Sequence, residues 1–380
     1  MKINIETSKL IEVIDVSSRF VAKNATLPIL QNIYLKASID NIIIRATDME
    51  KYVEIELPCK VSLEWAVTVN ARTFLDIIKS IEDQQIEITA DQKTQVVTIK
   101  WAKDTFDINW ISASEYVALP EVPREHTIDL DTQMFAQWVE KVEYAVTEKN
   151  FSPVLTWVLI KSKKDEDWSK LMFVGTDSFR LAEYKTRNTI ENEFSLIVPK
   201  LSINDIQKIT EYGISKECDT MKIFYSENLI AFELTINDIK IIATSLLIQG
   251  SFPEYDREEI MPRQFNTKIL VDKTICEKAI KKIGILTKDI NNFIQIESNK
   301  DSIIISSGKT DKWAANTSIP AIIEGEQVSF GINWRYITDF IRIMKEDELL
   351  FQIVDWQKPL IIGEKNEQNY KYVIRPLINN

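Results

Sequence analysis

Val174-Gly-Thr-Asp-Ser-Phe-Arg-Leu-Ala-Glu-Tyr184 follows the apolar run Leu171–Val174 into Thr176-Asp177 and leaves it in alternating residues. That is the pattern of a strand, a polar turn and a returning strand. Arg45-Ala-Thr-Asp-Met-Glu-Lys-Tyr-Val-Glu54 does the same after Ile42–Ile44. Thr47-Asp48 and Thr176-Asp177 lie 129 residues apart in a chain of 380, close to a third of its length. The spacing implies a repeated fold.

The rest of the chain follows that period. Helical periodicity marks Ser8–Ala22, Ala71–Ile81, Asp131–Thr147, Leu201–Tyr212, Asp272–Thr287 and Trp334–Lys345. Short strands separate these helices, among them Lys2–Glu6, Phe106–Trp110, Arg180–Thr186, Trp313–Ile319 and Tyr370–Ile374. Leu119-Pro-Glu-Val-Pro-Arg124 reads as a linker, and so does the stretch from Ser251-Phe-Pro-Glu-Tyr255 to Met261-Pro-Arg263. Three domains are expected, over 1–123, 124–261 and 262–380, each with two helices on antiparallel sheets in an α+β class.

The second helix of each repeat gives the closest internal match. Counting from Val69, Val198 and Ile332, the fifth residues are Phe74, Ile203 and Ile337, and the eighth are Ile77, Ile206 and Phe340. Those are core positions of an amphipathic helix. The seventh residues are Asp76, Asp205 and Asp339, and the tenth are Lys79, Lys208 and Arg342. An acid three residues before a base reads as an exposed i,i+3 pair, worth a few tenths of a kcal/mol.

Hydrophobic residues at 45% and charged residues at 27% describe a globular chain. No apolar run approaches the ~18 residues that span a bilayer, and Met1-Lys-Ile-Asn-Ile-Glu6 is not a signal peptide, so a cytoplasmic protein with no membrane partner is expected. Cys59, Cys218 and Cys276 are odd in number and scattered, which argues against disulfides and a zinc cage. The net charge of −11 opposes general nucleic-acid binding unless basic residues are segregated. They are. Helix windows 7–23, 70–80, 131–149, 200–211, 272–288 and 333–345 carry a net +5, against −16 for the remainder. Window 272–288 is the most basic, and window 131–149 alone is net acidic. One wall of such helices would meet phosphates without reading sequence; solvated lysines are the competing reading.

No catalytic constellation is visible. His126 is the one histidine and stands beside a linker, and there is no phosphate loop, dinucleotide fingerprint or nucleophile elbow. Asp48 and Asp177 read as turn residues that accept Asx hydrogen bonds rather than as a hydrolytic pair.

Ala25-Thr-Leu-Pro-Ile-Leu-Gln-Asn32, Val69-Asn-Ala-Arg-Thr-Phe-Leu-Asp76, Pro153-Val-Leu-Thr156, Thr176-Asp-Ser-Phe-Arg-Leu-Ala182, Ser251-Phe-Pro-Glu-Tyr255 and Tyr372-Val-Ile-Arg-Pro-Leu377 together resemble the bacterial DNA polymerase III beta subunit family, the sliding clamps. The likeness runs the whole chain in order. It implies three DNA-clamp domains, a head-to-tail homodimer closing a ring around duplex DNA, and no catalysis or cofactor of its own. Partners implied are a clamp loader, the replicative polymerase, and repair and translesion polymerases, in the nucleoid-bearing cytoplasm of a bacterium.

The resemblance also implies sites. DNA would be met by Lys23, Asn24, Arg72 and Lys149, joined by the helix cations Lys79, Lys208, Lys278, Lys281, Lys282 and Arg342. A peptide cleft would be built from Leu155, Thr176, Ser178, Phe179, Arg180, Leu181, Pro253, Val373, Arg375, Pro376 and Leu377, with Arg257 standing for a family arginine. Leu155, Leu181, Val373 and Leu377 would form its apolar floor. Phe106 and Ile108 on one side and Ile285 and Leu286 on the other would form the dimer seam.

Departures from the family pattern are local. Asn24 replaces an arginine, Pro153-Val154 an aromatic pair, Ser178-Phe179 a Gly-His, and Arg375 a methionine. The segment after Pro253 is about two residues longer than the family pattern. Arg375 implies a peptide preference shifted toward an acidic residue. Open alternatives are a diverged paralogue with other partners, a hydrolase using Asp177, and a repeat scaffold that never meets DNA.

Overall fold

A computed structural model of the chain describes residues 1–24, 26–147, 156–165, 168–190, 192–307 and 314–377. The first repeat runs β1 (Lys2–Glu6), α1 (Thr7–Ser18), β2 (Asn32–Ser38), β3 (Asn41–Thr47), β4 (Lys51–Pro58), β5 (Lys60–Leu63), β6 (Trp65–Asn70), α2 (Ala71–Lys79), β7 (Gln85–Asp91), β8 (Val96–Trp101), β9 (Asp104–Asn109) and β10 (Ile111–Ser112). The second runs β11 (His126–Asp131), α3 (Thr132–Glu143), β12 (Trp157–Asp165), β13 (Trp168–Thr176), β14 (Arg180–Ile190), β15 (Phe194–Pro199), α4 (Lys200–Ser215), β16 (Thr220–Tyr225), β17 (Leu229–Ile236) and β18 (Ile239–Leu246). The third runs β19 (Thr267–Asp272), α5 (Lys273–Gly284), β20 (Phe293–Ser298), β21 (Ser302–Ser306), β22 (Asn316–Pro320), β23 (Ile322–Gly325), β24 (Ser329–Asn333), α6 (Trp334–Ile343), β25 (Glu348–Ile353), β26 (Leu360–Glu364) and β27 (Tyr370–Ile374).

This is the expected α+β class: three repeated domains, each with two helices on antiparallel sheets. The chain also divides into two compact units, Met1–Gln137 with Leu201–Gln249, and Trp138–Lys200 with Gly250–Asn380. The first unit holds a five-stranded sheet, β5-β1-β7-β8-β9, and a nine-stranded sheet, β10-β6-β2-β3-β4-β18-β17-β16-β11. The second holds a nine-stranded sheet, β15-β12-β13-β14-β27-β26-β25-β19-β23, and a four-stranded sheet, β22-β21-β20-β24. Each nine-stranded sheet crosses a repeat boundary, through β4·β18 in one and β14·β27 in the other.

Strand alternation and helix periodicity place the core. Phe74, Ile203 and Ile337 are fully buried at the equivalent position of the second helices, and Ile206 and Phe340 are buried a turn on. Ile77 departs from the expected column: it is half-buried, and Ile78 takes the core place. Close packing demands a glycine at the end of α5, because a Cβ on Gly284 would lie 2.5 Å from the Trp334 ring of α6. The Trp334 indole N–H donates to Thr287 Oγ1 at 3.0 Å in the same joint.

The helix ends differ from the periodic windows. α1 stops at Ser18 rather than Ala22, where Ser17 and Ser18 hydroxyls donate back to Val13 O and Asp15 O at 2.8 Å. The windows also overrun α2, α3, α5 and α6, while α4 continues past its window to Ser215. Strands β5, β10 and β23 were not expected. They have four, two and four residues and sit at or beside sheet ends, too short to show alternation. The expected strand Trp313–Ile319 begins at Asn316 in β22, and Trp313 lies outside the described residues.

Candidate functional site

Two equivalent hairpins organise the two units. Between β3 and β4, Asp48 Oδ1 accepts the N–H groups of Glu50 and Lys51 at 3.0 and 2.9 Å. Between β13 and β14, Asp177 Oδ1 accepts those of Phe179 and Arg180, both at 3.0 Å. These are the Asx turns read from the sequence. Each turn forces its next residue into the left-handed region, Met49 at φ 81° and Ser178 at φ 74°. Ser178 thus holds by its turn bonds a conformation that glycine adopts freely.

The last turn residue of each hairpin is a cation that reaches the second helix of the following repeat. Lys51 pairs with Asp205 of α4. Arg180 donates through Nη1 to Asp339 of α6 at 2.6 Å and through Nε to Asp177 at 2.9 Å. The expected exposed i,i+3 pairs are therefore corrected. Asp205 turns inward to Lys51, Lys208 bonds Glu211, and Lys79 bonds Asp15. Only Asp339 and Arg342 meet as expected, at 3.6 Å, and Asp339 is shared with Arg180.

Arg180 is packed as well as paired. Its guanidinium stacks over the Tyr336 ring at 4.6 Å and approaches the Tyr372 hydroxyl at 3.4 Å, and Tyr372 lies flat against Phe340. Burial pushes the Asp177 carboxyl above its ordinary pKa, with Arg180 and the turn N–H groups pulling against it. The Tyr336 phenol is pushed up to about 12, first by burial and then by Asp177. Asp177 and Tyr336 thus brace Arg180 as part of one wall.

That wall bounds a cleft of about 710 Å³. Eight of the residues expected from the sequence line it: Thr176, Ser178, Phe179, Arg180, Leu181, Pro253, Val373 and Arg375. Leu181 and Val373 are cross-strand neighbours of β14 and β27 and give an apolar floor, and Phe179 is half exposed at the mouth. A slot of this size with an apolar floor and a polar rim fits an extended peptide's side chains.

Other expected residues fall elsewhere. Arg257 is turned from the cleft toward a neighbouring groove and pairs with Glu254. Pro376 is buried, and Leu377 donates its N–H to Gly331 O at 2.9 Å; neither lines the cleft. Leu155, like Lys149 and Pro153-Val154, lies outside the described residues. Sequence reasoning missed Phe252, Tyr255, Glu258, Glu259 and Ile260 on one bank and Gln357, Lys358 and Pro359 on the other. The first group sits in the segment read as a linker, whose clustered aromatic residues were the available signal. Tyr255 is buried there and donates to Glu183 of β14 at 2.6 Å, fixing the loop to the strand that carries Leu181.

The candidate DNA-contacting cations are all exposed where described: Arg72, Lys79, Lys208, Lys278, Lys281, Lys282 and Arg342 on helices, and Lys23 with Asn24 in the turn after α1. Four of them spend charge on acids of the chain, as Lys79–Asp15, Lys208–Glu211, Lys281–Glu277 and Arg342–Asp339. Within the observed helix bounds the excess is +3 rather than +5, and α5 alone carries +3. Among the described residues no three His, Cys, Asp or Glu gather to hold a metal, and no helix is long and apolar enough to cross a membrane.

Of the dimer-seam candidates, Phe106 is exposed on β9, stacked on Trp101 at 5.4 Å, and Ile108 is largely covered. Ile285 and Leu286 are not on an edge strand: they cap and follow α5, with Ile285 69% exposed.

The fold and cleft define a class: a repeat protein of paired helices on shared sheets, with a peptide-sized slot and exposed helix cations. Comparison with known proteins narrows it. Residues 1–120, 129–254 and 258–378 match the N-terminal, central and C-terminal domains of the DNA polymerase III beta subunit. The chain belongs to that family. The beta sliding clamp of Bacillus subtilis is 25% identical over 99% of both chains, and that of Staphylococcus epidermidis 24% over the same shares. The DNA polymerase III beta subunit of Thermotoga maritima superposes with a TM-score of 0.90 at 22% identity, covering 100% of both chains. The beta sliding clamp of Caulobacter crescentus reaches 0.91 at 21%, again over 100% of both. The chain's function is accordingly that of a processivity clamp in DNA replication.

Proposed function

We propose that two copies of this chain join head to tail into a ring that encloses duplex DNA, and that the cleft beside Leu181 and Val373 holds peptide segments of the proteins that use it. The chain performs no catalysis in this reading. Its contribution is topological, so an overall acidic protein with a modestly basic set of helices suffices. Its users are the replicative polymerase, the clamp loader, and repair and translesion polymerases, in a bacterial cytoplasm. Domain boundaries near 123 and 261 go with this reading.

One observation carries the dimer. Both nine-stranded sheets join a second-helix half to a first-helix half across a repeat boundary. The remaining halves, β22-β21-β20-β24 and β5-β1-β7-β8-β9, have the same orders and end in open strands β22 and β9. Pairing β22 with a second copy's β9 completes a third nine-stranded sheet, and removes two edges that would otherwise invite aggregation. Phe106, exposed on β9, is the apolar group such a seam covers.

Sedimentation velocity at micromolar concentration tests the reading. The wild-type chain is expected at twice 44.0 kDa, and Phe106→Glu at the monomer mass. A labelled peptide carrying a glutamine and two apolar anchors is expected to bind wild type and lose most of its affinity for Leu181→Asp. A wild-type monomer at every concentration, or equal peptide binding by both proteins, would sink the proposal.

A further inference from the structure

We infer that the junction between copies keeps the strand register of the two junctions inside the chain but lacks their ion pair, leaving Asp76 of α2 as an open acceptor at the seam. This rests on the head-to-tail dimer proposed above.

The repeat fixes the register. On the hairpin side, Asp48 N donates to Lys51 O at 3.4 Å, and Asp177 N donates to Arg180 O at 3.3 Å. Ser307 N donates to Ala315 O at 3.0 Å in the same relation. In return Lys51 N and Arg180 N donate to Asp48 and Asp177 Oδ1, while Ala315 N donates to Ser307 Oγ at 3.1 Å. Ser307 therefore occupies the aspartate's place and Ala315 the cation's. The strand pairs agree, with Thr47↔Tyr52, Thr176↔Leu181 and Ser306↔Asn316 at the same step.

The facing strands align through their own ladders. Thr98↔Asp107, Ala231↔Thr244 and Ile361↔Val373 are equivalent pairs of β8·β9, β17·β18 and β26·β27. Inside the chain Tyr52 faces Thr244 and Leu181 faces Val373. Asn316 then faces the partner's Asp107, and Ala315 the partner's Ile108.

The acid side of the device is intact. Asp76 is the counterpart of Asp205 and Asp339, yet its exposed side chain has no hydrogen bond or ion pair among the described residues. Lys51 and Arg180 are long cations with only 11% of each side chain exposed, so each closes its junction where water is scarce. Ala315 carries no charge to do this. At this strand position the junction between copies thus has no counterpart of the Lys51–Asp205 and Arg180–Asp339 pairs.

Dimer dissociation constants and subunit-exchange rates of four full-length proteins test this: wild type, Ala315→Arg, Asp76→Asn and the double variant. Ala315→Arg is expected to tighten the dimer by about fivefold to tenfold and slow exchange in step. Asp76→Asn alone is expected to change affinity by less than about twofold, and to return Ala315→Arg to the wild-type value. No tightening, tightening that survives Asp76→Asn, or a large loss from Asp76→Asn alone would each overturn the inference. Register is read separately by thiol cross-linking. Asn316→Cys with Asp107→Cys is expected to join two copies, and Thr317→Cys with Asp107→Cys to fail, because neighbouring strand residues point to opposite faces. The reverse result also overturns it. A wild-type monomer would remove the dimer and this inference together, whereas a normal dimer unmoved by Ala315→Arg removes the inference alone.

Discussion

Glu183 is a carboxylate with only 3% of its surface exposed; one oxygen accepts from the Tyr255 hydroxyl at 2.6 Å and the other faces Lys185 Nζ at 3.8 Å. Lys161 sits over the Tyr255 ring at 4.4 Å, its own pKa lowered by burial. Tyr255→Phe is expected to cost ~1–3 kcal/mol, since the buried carboxylate loses its shortest hydrogen bond and keeps only the longer Lys185 contact while the ring stays. Urea denaturation reads this as a lower midpoint; an unchanged midpoint would mean that solvent replaces the hydroxyl. Arg375 is the second residue with a consequence of its own. Its backbone N–H donates to Phe179 O at 2.9 Å, which fixes its place on the cleft rim, and its guanidinium has no ion pair among the described residues. Peptides with an acidic residue near this rim are expected to bind wild type several-fold better than neutral ones, and Arg375→Met to abolish the difference. An unchanged ranking would count against an electrostatic role.

Helix ends separate what the sequence states from what it leaves to folding. α5 is capped by Asp272, whose carboxylate accepts from Ile275 N at 2.8 Å, whereas Glu6 before α1 makes no side-chain cap. Asp272→Ala is expected to cost ~1 kcal/mol and Glu6→Ala less than half of that, by shifts in denaturation midpoint. The six helices were legible because periodicity persists over several turns; their last residues were not, because Ser17, Ser18 and Gly284 act through backbone geometry and packing. The acid column of the second helices was legible as a repeat and misread as a surface pair. Its true partners lie 154 and 159 residues away, which no local window can reveal. The cleft divides in the same way. Residues on regular strands, such as Leu181 and Val373, were found, while Phe252 and Ile260 sit in an irregular loop whose direction is set by Tyr255 and Glu183.

At the scale of the molecule, charge and topology have to be weighed together. The chain carries −11 overall, its helices only +3, and four of the described candidate cations are already paired with acids. Lys23, Arg72, Lys278 and Lys282 are left without an ion pair among the described residues. A handful of open cations on an acidic protein cannot hold DNA tightly at physiological salt, because each phosphate contact is weakened as salt competes for it. Enclosure predicts a particular contrast. On linear duplex, binding should be weak and fall steeply with salt. On nicked circular duplex, once a loader and ATP have closed the proposed ring, retention should change little over the same range and end when the circle is cut. Under the proposed enclosure, Lys278→Glu with Lys282→Glu should leave the proposed dimer intact in sedimentation, reduce loading and shorten polymerase runs, since the helices would then repel the enclosed duplex. Loss of the circular complex with salt, in parallel with the linear one, would mean that attraction and not linkage holds the protein on DNA.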